Sequence, residues 1–161
     1  MVLIGFCAVT ARLFIWPARG MPVHVSAIVM LAGPDDRLGL ALRLARQHRA
    51  PFLVVSRGHE GYGGPCPRPV PLVRLICFEP NPASTRGEAE YVGRLARRYH
   101  WRSVALITTT VQDSRARERV ARCFGGPVYV MTAGQPWYSW PGQLAYEWAA
   151  TIKMDLWQRS C

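Results

Sequence analysis

Lysine is almost missing from this chain: of 20 basic residues only Lys153 is a lysine, and the others are arginine. Charged residues are sparse at 19% against 50% apolar, which excludes a disordered, solvating chain and fits a globular one. No repeat and no low-complexity tract occurs. No long apolar run occurs either. Met1 to Thr10 is uncharged and mostly apolar, and Leu13 to Trp16 continues it after Arg12. That is shorter than the roughly 20 residues that cross a bilayer. It also lacks the basic start and small-residue cleavage site of a signal peptide. Cysteines 7, 66, 77, 123 and 161 include no CxxC pair, so a zinc ribbon or thioredoxin-type motif is excluded. The dinucleotide fingerprint GxGxxG, the P-loop and the nucleophile elbow GxSxG are all absent. Histidines 24, 48, 59 and 100 share no metal-ligand spacing, so no metal site is expected; His59, in a glycine-rich loop, is retained as a weak functional candidate. The sequence names no cofactor.

What is present is one domain's length, 161 residues, with a formal net charge of +10. The arginines are scattered and form no stripe interleaved with aromatics, so no specific nucleic-acid partner is expected and solvated helix faces account for them. Cys66 and Cys77 bracket a proline-rich loop. They would close it as a disulfide outside the cytoplasm and stay free thiols inside it. Cys123 reads as a buried, small apolar residue.

Strand and helix patterns alternate along the chain. Val25–Leu31 and Phe52–Ser56 are short apolar runs of the kind buried on both faces of a sheet, and Leu72–Phe78, Val104–Thr108 and Val128–Met131 read as three further strands. Helices are expected over about 37–48, 85–99, 115–124 and 142–158, with Trp137–Pro141 an aromatic turn. Asp35 or Asp36 would cap the first. Thr85-Arg-Gly-Glu88 would form a capping box on the second, whose wet face pairs Glu90 with Arg94. Asp113 or Ser114 would cap the third. The last would place Leu144, Trp148, Ile152 and Leu156 on one side. Short connections imply right-handed crossovers. The expected fold is α/β: a Rossmann-like three-layer sandwich on a mostly parallel five-stranded sheet. Residues 1–22 form an apolar segment and linker before the domain at 23–161. The segment is either the remnant of a membrane anchor or an edge piece packed on the domain.

Ligands of such sheets bind at the carboxyl ends of the strands, near a switch in strand order. The first end offers Gly33, Asp35 and Arg37; the second, Ser56, Arg57 and Gly58; the third, Glu79, Ser84, Thr85 and Arg86; the fourth, Thr108, Thr109, Thr110, Gln112, Ser114 and Arg115. Hydroxyls, helix N-termini and arginines favour an anion, above all a phosphate. The competing expectation is that the hydroxyls merely cap helices and that Arg37, Arg86 and Arg115 pair with Glu79, Glu88 and Asp113.

Four blocks carry a resemblance: Ala27–Gly33 with Arg37; Phe52-Leu-Val-Val-Ser56-Arg-Gly58; Phe78-Glu-Pro-Asn-Pro-Ala-Ser-Thr85-Arg-Gly-Glu88-Ala; and Leu106-Ile-Thr-Thr-Thr-Val-Gln112-Asp-Ser-Arg115-Ala. In order and spacing, over about 24–131, they resemble the YdcF/SanA/ElyC-like family of bacterial proteins, a domain of unknown function. The resemblance implies a Rossmann-like fold, often behind a membrane anchor and then extracytoplasmic, and a role in envelope integrity or in handling lipid-linked intermediates. One soluble relative is associated with an adenosyl-type ligand. Carried over, the site comprises Gly33, Arg37, Ser56, Gly58, Glu79, Thr85, Glu88, Thr108, Thr109 and Arg115. Glu79 and Glu88 are then the candidate bases for a hydrolase or transferase. Asp35, Arg86 and Gln112 complete the candidate ligand set for a phosphate-bearing small molecule. Two departures matter: Arg57 replaces the first glycine of the family's Ser-Gly-Gly turn, and Gln112 stands where the family has histidine. Glutamine cannot shuttle a proton. The alternative expectation is therefore a non-catalytic adenosyl- or nucleotide-binding module, or an interaction protein built on the Trp137–Trp140 segment and the last helix.

Overall fold

A computed structural model describes residues 2–16, 20–33, 36–58, 65–134, 136–158 and 160–161. In chain order its elements are α1 (Val2–Thr10), a π-helical turn (Ala11–Ile15), β1 (Ala27–Met30), α2 (Arg37–Arg46), β2 (Phe52–Ser56) and β3 (Arg74–Phe78). There follow α3 (Thr85–Tyr99), β4 (Val104–Thr109), α4 (Asp113–Cys123), β5 (Val128–Ala133), a 3-10 turn (Trp137–Ser139) and α5 (Trp140–Trp157). The five strands form one sheet in the order β3-β2-β1-β4-β5, and every pair is parallel. Helices flank this sheet as expected of a Rossmann-like three-layer sandwich.

The period of two along β1 explains the layers. Ala27, Val29 and Leu31 pack with Ala89, Val92 and Ala96 of α3 and with Ala116 and Val120 of α4. Ile28 and Met30 point the other way, with Ala41, Leu44 and Ala45 of α2. Both faces are covered, so β1 is apolar and β1 and β4 are buried at every position. The chain order runs outward from β1 through β2 and β3, then returns to β4 and β5. The order therefore reverses between β1 and β4, and a crevice opens above that point.

Several local expectations are corrected. Asp36 caps α2, accepting from the Gly39 N–H at 3.1 Å; Asp35 lies outside the described residues, as does His59. Ser84, not Thr85, caps α3 through the Gly87 N–H. This one-residue shift puts Glu88 a turn inside the helix, on its buried face, where it cannot reach back to the cap. Gln112 precedes α4 without a side-chain cap bond, and Asp113 is the first helical residue. Glu90 pairs with Arg86 rather than Arg94, whose guanidinium lies over the Tyr91 ring. The last helix starts at Trp140 and turns Glu147 and Met154 inward, leaving Ile152 and Leu156 exposed. Cys66 and Cys77 form a disulfide, and so do Cys123 and Cys161, so Cys123 is not a free thiol.

The N-terminal segment packs on the domain. Phe14 is fully buried, and Phe6 and Phe14 meet the Trp148 ring, each with centroids 5.4 Å apart. The Trp148 indole N–H donates to Thr10 Oγ1, and Gly20 bridges antiparallel to Val130 on β5. Outward, α1 leaves Leu3, Ile4, Phe6 and Val9 exposed. No helix among the described residues is long and apolar enough to cross a membrane.

Candidate functional site

The crevice at the strand-order switch is a cleft of about 660 Å³. Gly33 comes from the end of β1, Gly58 from β2, Pro80 from β3 and Thr109 from β4. The N-terminus of α3 supplies Ser84, Thr85 and Glu88, and the start of α4 supplies Gln112 and Arg115. Gln143, Tyr146 and Glu147 of α5 close the remaining side. Gly58 has φ of 66°, a left-handed conformation that favours glycine.

Glu88 lies in the wall of this cleft and is only 3% exposed. Burial raises its pKa above the usual carboxylate range. The Ser56 hydroxyl, the Ala32 N–H and the charges of Arg37 and Arg115 pull the other way without overcoming it. The Ala32 N–H donates to Oε1 at 2.7 Å. Ser56 is fully buried beside the carboxyl, and its Oγ falls short of a well-formed hydrogen bond. A neutral Glu88 carries one proton it can donate. The group is thus equipped as an acid, or after ionisation as a base.

Arg37 is 4% exposed and folds back on the end of β1. Its Nη1 donates to the carbonyls of Ala32 at 2.6 Å and Leu31 at 3.3 Å, and its guanidinium lies against the α-carbon of Gly33. Here an arginine braces the loop that delivers the Ala32 N–H to Glu88.

Arg115 is held from two sides. Nη2 donates to Glu147 Oε1 at 2.8 Å while Nε donates to Oε2, a bidentate pair, and Nη1 donates to Thr85 Oγ1 at 3.1 Å. Its Cζ stands 5.8 Å from the centroid of the Tyr146 ring. Burial works against the charge, but the Glu147 bonds and attraction outweigh it and raise the pKa. Gln112 is fixed alongside: Thr108 Oγ1 donates to its Oε1 at 2.8 Å, and its Nε2 donates to Thr85 Oγ1 at 3.3 Å. Thr85 is therefore the hub of the site, accepting from both Gln112 and Arg115.

The structure thus gathers Gly33, Arg37, Gly58, Thr85, Glu88, Thr109, Gln112 and Arg115 at one opening, with Ser56 and Thr108 buried directly behind. It does not bring in Glu79, which is exposed and pairs with Arg57 at 3.5 Å, nor Arg86, which pairs with Glu90. Glu79 and Arg86 do not line the cleft. Among the described residues the ion pairs fall elsewhere than expected: Asp113 meets Arg117, Arg86 meets Glu90, and Arg115 meets Glu147. Gln143, Tyr146 and Glu147 escaped the sequence reading. The usable signal was Glu147 itself, a lone acid inside the aromatic and apolar run Leu144–Trp148. Among the described residues no group of three His, Cys, Asp or Glu side chains is placed to hold a metal ion.

No family model matches the chain, and no curated protein matches it.

Proposed function

We propose that this protein binds a phosphate-bearing or nucleotide-like ligand in the cleft at the carboxyl edge of its sheet. The observation that carries the reading is the convergence of Thr85, Glu88, Gln112 and Arg115 in one opening at the N-terminus of α3. That helix end brings free N–H groups and a positive dipole end, and Arg115 brings a forked donor. Glu88, buried beside them and pushed toward its protonated form, is the group that would protonate a leaving oxygen in hydrolysis or transfer. The resemblance to the YdcF/SanA/ElyC-like family points the same way and suggests a lipid-linked intermediate as ligand. Apolar residues exposed along α1 and two disulfides support association with a membrane surface outside the cytoplasm, in an envelope role.

One observation favours a second reading, a non-catalytic binding module. Gln112 sits at the position of the family's histidine and is pinned by Thr108 and Thr85, so it offers a fixed amide and no titrating group.

The test is the melting temperature of the full chain against nucleotides, adenosyl compounds, sugar nucleotides and prenyl phosphates. A ligand that binds only the native state raises it. The shift should vanish in Thr85→Val and in Arg115→Gln. A shift that survives both substitutions would remove the cleft from consideration. Product formation that stops in Glu88→Gln would favour the enzyme over the module.

A further inference from the structure

We infer that Glu147 is a built-in occupant of the anion position on Arg115, so that the cleft admits a phosphoryl dianion and rejects carboxylates. The inference rests on the reading of the cleft as an anion site, and it specifies the ligand's charged group.

The position of Glu147 follows from how α5 is held. Its far end is fastened to α4. Arg119 donates to the Gln158 carbonyl and to Gln158 Oε1, both at 2.6 Å; Arg122 donates to Asp155 at 2.8 Å; and Cys161 is bonded to Cys123. Trp148 is seated between Phe6 and Phe14. On the cleft side of that anchor, Gln143, Tyr146 and Glu147 form the wall, and Glu147 reaches across to Arg115. The two side chains are 10% and 6% exposed, so the pair is almost dry.

A carboxylate on a guanidinium is what an anionic ligand would look like at that point. Glu147 is tethered, so its effective concentration at Arg115 is of millimolar order or higher. A ligand carboxylate offers the same charge and the same two-oxygen fork, and it gains nothing by the exchange. A phosphoryl group carries about twice the charge and a third oxygen. Ser84 and Thr85, at the start of α3 in the same cleft, are placed to receive that third oxygen. Thr85 keeps hold of Nη1, so Arg115 stays aimed at the cleft when Glu147 leaves it.

The experiment titrates the full chain with inorganic pyrophosphate and with malonate, in wild type, Glu147→Gln and Arg115→Gln. Glutamine keeps a hydrogen bond to Arg115 and removes the competing charge. The expected result is pyrophosphate binding at least tenfold tighter in Glu147→Gln than in wild type, and malonate binding gained only in that variant. Pyrophosphate should also speed hydrogen exchange at amides 140–147 of wild type, as Glu147 lets go. If wild type binds pyrophosphate and Arg115→Gln does not, yet Glu147→Gln binds no tighter while still folded at the temperature of the titration, the inference fails and the anion site stands. If no form binds pyrophosphate, or binding ignores Arg115, both fail together.

Discussion

The Ala32 N–H donates to Glu88 Oε1 at 2.7 Å across 56 residues of sequence, tying the end of the first strand to the second turn of α3. That bond places an acid, buried and pushed toward its neutral form, at the point where the strand order reverses. It also explains why Arg37 folds back on the Leu31 and Ala32 carbonyls: the loop that presents the N–H is braced by the helix that follows it.

The raised pKa of Glu88 fixes a pH dependence. The native state holds the proton more tightly than the unfolded chain, so stability from this group is fully present below the ordinary glutamate value, about 4.3, and is lost as pH rises through the raised native value. Glu88→Gln keeps an acceptor for Ala32 and removes the charge. Denaturant melts in the two proteins should show the variant more stable at pH 8, with the gap closing toward pH 4.

The Arg115–Glu147 pair is nearly dry, so removing one partner strands a buried charge. Arg115→Ala or Glu147→Ala alone should cost about 3–5 kcal/mol. Replacing both by apolar residues of similar size should cost much less than the sum, as a double-mutant cycle would read out.

Gly87 tests how α3 is seated. A Cβ at this position would overlap the carbonyl oxygen of Pro82, which is backbone and cannot swing aside. Gly87→Ala should destabilise the protein by about 1–3 kcal/mol, despite alanine's better helix propensity. Because Ser84 and Thr85 move with the helix start, ligand-induced shifts should shrink as well.

The Cys123–Cys161 bond closes a far longer stretch of chain than Cys66–Cys77, with separations of 38 and 11 residues. Loop-closure entropy assigns them about 4 and about 3 kcal/mol respectively. Cys161→Ser should therefore lower the midpoint of denaturation more than Cys66→Ser, and should raise hydrogen exchange in the last turns of α5.

The inner strands were legible because β1 and most of β2 and β4 are continuous apolar runs covered on both faces; β3 and β5, at the edges, are half-buried and carry polar residues, so their bounds are less sharply written. The strand-end polar residues were legible for the same reason: a parallel sheet delivers them to one edge. Glu88 reads as a site residue from the sequence, but the capping box expected of Thr85-x-x-Glu88 does not form, because Ser84 takes the cap and nothing local announces that. Glu79 reads as a site residue because it is an acid directly after a strand; in the fold it is exposed and turns to Arg57 at the end of the neighbouring β2. The α5 wall had one sequence signal, the lone acid Glu147, and nothing to say where it points. Its inward stripe is set by Arg115 and by the Cys123–Cys161 bond, both long-range, and not by the apolar period of the helix itself.

The central claim is that the cleft at the β1–β4 switch holds the ligand's anionic group. The most direct measurement is a titration of the full chain with pyrophosphate followed through its backbone amide resonances. Saturable shifts concentrated at Gly33, Gly58, Thr85, Arg86 and Thr109 are the predicted result. Shifts that are absent, or that gather at the opposite end of the sheet around Ser26, His100 and Ser103, would contradict it.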